Sequence, residues 1–346
     1  MEKHIHQKAN HRKKIVNKKA MATDKNKHLD CVVSSHRLSK EQKLYDKHIT
    51  KKNEVKESLE KEFSSNIYSP FNSGSIAKNT AVNTKFDIDL VTPFKRNKFD
   101  TLEKMYTAVY DFLYGKYHGK GAYVRKQKVS IGIEFDADAE GHVVKIDVVP
   151  GRELNQDQYK DDDKLNLYVY EQFGKIEKSS EHLLTNIEAQ ITNIRDRATN
   201  EKDSIRKVIR LLKVWKIGKG SGPKSFFIEL ITIKAFDTHD ITGGIWDKLK
   251  RVMEFIKDEV KTVSLPDPGN SGNDVADTMT DGEKETLSGD MKNMIDRIEE
   301  NSDIIKSYFR INAKHPCEEE KDESNYSVKK EGVSNPPPTR FGLYEG

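Results

Sequence analysis

Residues 71 to 90 read "FNSGSIAKNTAVNTKFDIDL". A turn-forming cluster around Gly74 and Ser75 is followed by a stretch in which hydrophobic and acidic residues alternate, a pattern that predicts a β-strand. Side chains alternate along a strand, so Asp87 and Asp89 would project from one face while their hydrophobic neighbours enter the core. The spacing therefore predicts two carboxylates on one patch, a short distance after a tight turn.

Two adjacent carboxylates repel each other unless a cation lies between them. The simplest candidate is a hard divalent cation with oxygen ligands, Mg²⁺ or Mn²⁺. A third acid is available in "KIDVVPG", residues 145 to 151, where Ile146 and Val148 would point inward and Asp147 outward. The three acids predict a site for two metal ions, with Asp87, Asp89 and Asp147 as the ligands.

The turn upstream of the strand suits an anion. Gly74 and Ser75 open the short helical segment "SIAKNT", whose free backbone N–H groups and Ser75 hydroxyl fit a phosphate. A triphosphate beside two metal ions indicates nucleotidyl transfer, in which one metal lowers the pKa of an acceptor hydroxyl and the other steadies the pyrophosphate leaving group.

The D-x-D pattern alone is weak, because exposed acids on a strand and calcium loops share it. Asp136 and Asp138 in "FDADAEG" also match it, but they adjoin Gly141 in what reads as a hairpin turn. No catalytic role is assigned to them. The ordered set of Gly-Ser, D-x-D on a strand and a third Asp on another strand is what favours a nucleotidyltransferase.

The composition of the chain bears on its cellular location. Hydrophobic residues make up 35% and charged residues 34% of 346 residues, and no apolar run approaches the length of a membrane span. The amino terminus lacks the apolar centre of a secretory signal, and the only cysteines, Cys31 and Cys317, lie near opposite ends of the chain. These features predict a reducing, cytoplasmic location.

The chain divides into four parts by pattern. Residues 1–38 read as a basic disordered extension, since the first 28 hold nine Lys or Arg against two acids. Residues 39–160 mix helix and strand, residues 161–315 read as a helical lobe, and residues 316–346 read as a flexible tail. The predicted fold class is α+β, with the active site in the cleft between the mixed core and the helical lobe.

Three local predictions are specific enough to be tested by structure. The stretch "AYVRKQKVSIGIEF", residues 122–135, reads as one strand, and "HVVKIDVVPG", residues 142–151, as the next. The stretch "SEHLLTNIEAQITNIRDRA", residues 180–198, reads as a helix. Glu229, inside the apolar run "FFIELITI", is either a structural hydrogen-bonding acid or a residue that faces the cleft.

Gly74-Ser75, "DID" at 87–89 and "IDVVPG" at 146–151 resemble the polymerase-β-type nucleotidyltransferases, in particular the bacterial relatives of cyclic GMP-AMP synthase and oligoadenylate synthase, the CD-NTases. "IRKVIRLLKVWK" followed by "PKSFFIELITIKAF" is similar to the helix pair in which those synthases hold the triphosphate with a lysine and a serine. Lys213 and Ser225 stand at those positions. By position alone Lys213 would be a solvated lysine and Ser225 a helix cap.

The resemblance covers about residues 40 to 310 and also includes "DPGNSGNDVA" at 267–276. It implies a polymerase-β-like core with a C-terminal helical lobe, two Mg²⁺ or Mn²⁺ ions, and NTP substrates that include ATP. Asp87 and Asp89 would hold both metals, and Asp147 the catalytic one, where it could act as general base.

The same resemblance implies that Gly74, Ser75, Lys213 and Ser225 bind the donor nucleotide. The product would be a cyclic di- or trinucleotide that activates a separate effector in antiphage, CBASS-type defence. A ubiquitin-like ligation system is a further implied partner, acting on Gly346 at the end of the tail.

Two other functions share these residues. An oligoadenylate-type or RNA-tailing transferase would make linear products and would need nucleic acid for activity, against which the acidic balance of the body argues. A catalytically inactive nucleotide-binding module would be expected to lack one carboxylate, and all three are present.

Overall fold

The computed structural model describes residues 22–170 and 182–317. Within these ranges the main sheet has seven strands in the order β1-β2-β5-β4-β3, with β6 on β5 and β7 on β6. The strands of this sheet are β1 (Phe71–Asn72), β2 (Ile88–Phe94), β3 (Ala122–Lys126), β4 (Ile131–Phe135), β5 (Lys145–Glu153), β6 (Lys164–Tyr168) and β7 (His182–Asn186). A separate hairpin is formed by β8 (Pro266–Asp267) and β9 (Asn270–Asp274).

The helices of the described residues fall into two groups. Those interleaved with the sheet are α2 (Gln42–Phe63), α3 (Gly74–Ala77), α4 (Leu102–Tyr117), α5 (Tyr159–Asp162) and α6 (Ile187–Arg195). Those of the helical lobe are α1 (Lys25–Ser35), α7 (Thr199–Lys219), α8 (Ser225–Thr238), α9 (Ile245–Glu259), α10 (Asp281–Glu300) and α11 (Ile305–Tyr308). The α+β class is confirmed, with a mixed sheet followed by a C-terminal helical lobe.

Parallel pairing of β2 with β5 forms the centre of the sheet, and the other pairs are antiparallel. One face of this pair is covered by α2 and α4, which bury Leu90, Ile146 and Val148 in a shared core. A second, larger core is formed by α1 together with the four helices α7, α8, α9 and α10. The site described below lies between these two bodies of hydrophobic side chains.

The predicted disordered extension 1–38 is wrong for its described part. Residues 25 to 35 form α1, whose Leu29, Val32 and Val33 are almost fully buried in the core of the helical lobe. The charge run ends before these residues, so averaging it over the whole segment concealed three apolar side chains at helical spacing. Residues 1–21 lie outside the described residues, as does the predicted flexible tail from 318 onward.

The predicted single strand over 122–135 is two strands, β3 and β4, joined by a turn. Gln127 donates its backbone N–H to the Ser130 carbonyl at 2.9 Å, and the Tyr106 hydroxyl donates to the same carbonyl at 2.8 Å. The turn lacks Gly and Pro, and a buried side chain from α4 stabilises it instead. Local sequence therefore carried no signal for it.

The predicted helix over 180–198 is a strand followed by a helix in its described part, with β7 ending where α6 begins. Asn186 caps α6 by accepting from the Ala189 N–H at 2.8 Å. Both β6 and β7 extend the main sheet, although they lie within the segment 161–315 that reads as helical. Pairing of β6 with β5 and of β7 with β6 sets their conformation, and tertiary contacts of this kind override local propensity.

Cys31 and Cys317 are joined by a disulfide in the structure. The two cysteines are far apart in the sequence but adjacent in the structure. Their separation along the chain therefore does not support the predicted reducing compartment. Separately, none of the helices in the described ranges combines the length and the apolar character that crossing a membrane requires. The cytoplasmic location stays a prediction.

We predict that α1 contributes to the stability of the helical lobe. Leu29→Ala removes a side chain with 0% exposure, and we expect it to lower the free energy of unfolding by about 2–5 kcal/mol. Urea denaturation would measure this. Lys43→Ala, at an exposed position of α2, is the control and should have little effect. Equal stability of the two variants would show that α1 does not pack as described.

Candidate active site

The three predicted aspartates lie together on one side of the central strand pair. Asp89 is the register partner of Asp147 across the parallel β2–β5 pairing, at the roughly 4.8 Å spacing of neighbouring strands. Asp87 precedes β2 and faces the same way, while Ile88 between the two acids has 0% exposure. Acidic and hydrophobic side chains therefore alternate between the two faces of this strand, as the sequence predicted.

Gly74 makes close approach to this patch possible. Its φ is +61°, in the left-handed region, and a Cβ at this position would lie 1.7 Å from Asp89 Oδ2. The preceding Ser73 donates its backbone N–H to the Asp89 carbonyl at 2.9 Å. The Gly-Ser turn and the carboxylates are thus parts of one packed unit, because any larger residue at 74 would displace Asp89.

The carboxylates are held in an unfavourable electrostatic environment. Burial, followed by the charges of Asp147 and Asp87, raises the pKa of Asp89 to about 7, although Lys78 partly offsets this. Burial and Asp87 likewise raise the pKa of Asp147, against the hydrogen bond that it accepts from Gln127. A cluster of oxygen donors that repel one another in this way fits a pair of hard divalent cations such as Mg²⁺ or Mn²⁺.

Gln127 orients the third aspartate, a role that the sequence analysis missed. Its Nε2 donates to Asp147 Oδ1 at 3.1 Å, and its Oε1 accepts from the Ser130 hydroxyl at 2.7 Å. Gly132, the partner of Asp147 on β4, leaves room for this side chain, since a Cβ there would lie 2.5 Å from Gln127 Nε2. Only the β3–β4 turn brings Gln127 to the site, and that turn was not predicted.

A cavity of about 810 Å³ opens beside the carboxylates, within the size range of small-molecule sites. It lies between the sheet and the helical lobe, as the sequence predicted for the cleft. Of the predicted site residues, all but Asp147 line it. Asp147 lies at its edge, where together with Asp87 it lines a small adjoining pocket. The predicted residues lining the large cavity are Gly74, Ser75, Asp87, Asp89, Lys213 and Ser225.

Lys213 is buried and already paired. Its Nζ donates to Glu229 Oε1 at 2.8 Å and to Thr80 Oγ1 at 3.0 Å, while Lys78 binds the other carboxylate oxygen of Glu229. Burial would raise the pKa of Glu229, but the two lysines outweigh burial and lower it. Both alternatives for Glu229 hold in part: it is a structural hydrogen-bonding acid that ties α8 to α7 and to the end of α3, and it also lines the cavity.

Two other lysines present unpaired charge to the cavity. Among the described residues, neither Lys85 nor Lys216 forms an ion pair, and both line the cavity. Burial lowers the pKa of Lys216, and Lys85 and then Lys213 lower it further. Lys216 lies almost one turn beyond Lys213 on α7, so helical spacing could have indicated that both lysines face the cavity. Only Lys213, the lysine that matches the resemblance, was predicted to bind the nucleotide.

The second D-x-D pattern forms a turn, as predicted. Asp138 Oδ1 accepts the backbone N–H groups of Glu140 and His142, both at 2.9 Å. The ligand atoms of Asp138, Glu140 and His142 lie within 4.8 Å of one another, a grouping that could hold a metal. However, the ammonium of Lys47 binds both acids of this group. A cation is therefore already supplied by the chain, and no metal is assigned there.

Known structures share this architecture. CdnC of E. coli MS115-1, solved with ATP, superposes with a TM-score of 0.62 at 18% identity, over 84% of this chain and 99% of CdnC. The chain has the fold of the bacterial CD-NTases. The likeness extends to the cyclic AMP-GMP synthase DncV of Vibrio cholerae, solved with nonhydrolyzable GTP, with a TM-score of 0.56 at 15% identity over 71% of this chain and 70% of DncV.

A third structure of this CD-NTase fold is the cyclic dinucleotide synthase CdnE of Elizabethkingia meningoseptica, solved with GTP and Apcpp. It superposes with a TM-score of 0.52 at 16% identity, over 70% of this chain and 89% of CdnE. No family model and no curated protein sequence matches the chain. The relationship to the CD-NTases is therefore visible in the fold and in the few motif residues, and hardly at all in the remaining sequence.

We predict that Gly74→Ala disrupts the carboxylate cluster. The added methyl group would overlap Asp89 Oδ2, so the variant should bind Mn²⁺ at least tenfold more weakly, as measured by electron paramagnetic resonance titration. Gly115→Ala is the matched control, because a Cβ at this position of α4 meets no atom within 4 Å. Unchanged Mn²⁺ affinity in Gly74→Ala would contradict the packing described.

We predict that Asp89 destabilises the metal-free protein as pH rises. Its pKa is raised from 3.8 to about 7, so the folded state binds more protons than the unfolded state between these values, and stability falls over that range. In EDTA, Asp89→Asn should raise Tm by about 3 °C or more at pH 8 and by less at pH 5. Asp111→Asn, at an exposed position of α4, is the control. A Tm difference that does not change with pH would contradict this prediction.

Proposed function

We propose that this protein is a nucleotidyltransferase that converts NTPs into a cyclic di- or trinucleotide. The observation that carries the proposal is the convergence of Asp87, Asp89 and Asp147 beside the Gly74–Ser75 turn, at the edge of a cavity large enough for nucleotides. The CD-NTase fold supports it, since the structural neighbours DncV and CdnE are described as cyclic dinucleotide synthases.

The donor triphosphate would bind between α3 and the start of α8. Ser75 and Ser225 line this part of the cavity, and Ser225 is the first residue of α8. The unpaired ammonium groups of Lys85 and Lys216 would neutralise the phosphates. Lys213 would contribute indirectly, because its hydrogen bonds hold Glu229 and Thr80 in place.

Asp87, Asp89 and Asp147 would hold two Mg²⁺ or Mn²⁺ ions, which supply charge neutralisation at the triphosphate and lower the pKa of the acceptor hydroxyl. Asp147, oriented by Gln127, would receive the proton of that hydroxyl. The hydroxyl oxygen forms a bond to the α-phosphorus while the bond to the pyrophosphate oxygen breaks, and pyrophosphate leaves. A second transfer between the two ends of the linear intermediate would close the ring.

The cellular role follows from the product. A cyclic oligonucleotide made in this way would act as a second messenger for a separate effector in antiphage, CBASS-type defence, in the cytoplasm. The tail that ends at Gly346, the proposed target of a ubiquitin-like ligation partner, lies outside the described residues.

Incubation with Mg²⁺ or Mn²⁺ and each pair of radiolabelled NTPs tests the proposal. We expect a phosphatase-resistant product of cyclic mass, which disappears in Asp87→Ala/Asp89→Ala because the metal ligands are lost. Lys216→Met should raise KM for the donor at least tenfold, since it removes an unpaired charge from the cavity. Product masses would be read by mass spectrometry.

Lys219→Met is the matched control for Lys216→Met. Lys219 lies on the same helix, is exposed, and pairs with Asp290 away from the cavity, so its KM should stay within about twofold of wild type. A ladder of linear products would favour the oligoadenylate-type or tailing alternative. Absence of any product from every NTP pair, with either metal, would overturn the proposed activity.

A further inference from the structure

A second cavity lies on the other side of the segment that follows α3. Its volume is about 350 Å³. The chain between residues 78 and 81 separates it from the large cavity: Lys78 lines the large one, Asn79 the small one, and Ala81 both. The lining of the small cavity is strongly basic, with Asp203 as its one acid. The basic residues are Arg37, Arg206, Lys207 and Arg210.

Arg210 is the most constrained of these side chains. Only 9% of it is exposed, and one of its terminal nitrogens donates to the Asn79 carbonyl at 2.6 Å and to Asn79 Oδ1 at 2.8 Å. Its Nε is buried and has no hydrogen-bond partner among the described residues. Leaving this donor unmatched inside the protein costs free energy.

The neighbouring charges are only partly neutralised by the described residues. Burial, then Arg37 and Arg206, lower the pKa of Arg210 to about 10, which reflects like charges held close together. Arg37 is exposed and forms no ion pair within the described ranges. Arg206 has only Asp203 at 4.0 Å, and Lys207 has Asp30 at 2.9 Å. The cavity thus carries an excess of positive charge.

The same arginines hold the end of α3. Arg206 Nε donates to the Lys78 carbonyl at 3.1 Å, and Arg210 binds both oxygens of Asn79. Asn79 has a φ of +54°, a left-handed conformation that its own contacts with Arg210 stabilise. These carbonyls follow directly on the short helix that begins at Gly74, so the basic cavity and the Gly-Ser turn are linked by a single segment of chain.

We propose that this cavity binds a small multivalent oxyanion, and that its occupancy steadies the segment from Gly74 to Ala81. Guanidinium groups match phosphate and carboxylate oxygens in paired geometry, and 350 Å³ accommodates a small molecule, whereas a nucleic acid chain needs an open groove. An anion between Arg37 and Arg210 would relieve the repulsion among the cations. The site would regulate the adjoining nucleotide cavity without being part of it.

Calorimetric titration with sodium tripolyphosphate tests the binding. The protein used would be Lys85→Met/Lys216→Met in EDTA, in which the unpaired lysines of the large cavity are absent, so that binding reports on the small cavity. We expect one binding site per chain, weakened about tenfold by adding Arg37→Ala, because one charge-assisted contact is lost. Titration with citrate in parallel distinguishes a carboxylate ligand from a phosphate ligand.

Lys40→Ala is the matched control for Arg37→Ala, since it removes one positive charge at an exposed position nearby that does not line the cavity. It should leave the affinity unchanged. Lys207→Met is a second variant within the cavity and should also weaken binding. Binding of neither anion, or equal losses in Arg37→Ala and Lys40→Ala, would overturn the site.

Hydrogen exchange measures the proposed coupling. Tripolyphosphate should slow exchange several-fold at the amides of residues 74–81, and Arg37→Ala should remove that protection at the same anion concentration. Binding without any change of exchange in this segment would overturn the coupling. Because neither measurement requires catalysis, the result is independent of whether the proposed synthase activity is found.

Discussion

The parallel pairing of β2 with β5 is the constraint on which the site depends. It sets Asp89 directly beside Asp147, and the register is fixed because Leu90 and Ile146, with 0% exposure, must both enter the core under α2 and α4. A slip of one residue would turn every side chain of a strand to the opposite face. Hydrophobic packing on one side of the sheet therefore positions the carboxylates on the other.

Assembling these carboxylates works against the stability of the metal-free protein. Asp89 is partly buried beside two like charges, and the left-handed conformation of Gly74 allows the backbone to approach Asp89 closely. A core chosen for stability alone would contain neither feature, which is a common property of functional sites. The opposite arrangement is found at Glu229, which lines the same cavity and pairs with both Lys78 and Lys213.

Much of the site could be predicted because a period of two along a strand is a local property. Asp87, Asp89 and Asp147 needed only the alternation of their own strands. Gln127 could not be found in this way, because it reaches Asp147 through a turn that Tyr106 stabilises from α4. The partners of Glu229 and the basic cavity could not be predicted from the sequence either. Both depend on contacts between distant residues: Lys78 binds Glu229 across 151 residues, and Arg210 binds Asn79 across 131 residues. The roles assigned to the site residues stay predictions.

The shared ion cluster of Glu229 also limits which parts of the cavity wall can move. Moving α7 away from the end of α3 would strip the partners from charges that are almost wholly buried, at a cost of several kcal/mol. The α7–α8 connection, which lines the same cavity with Gly220 and Gly222, both at positive φ, forms no such contacts. Any opening of the cavity that the proposed reaction requires would therefore occur at this glycine loop, while the Glu229 cluster keeps α7, α8 and the end of α3 together.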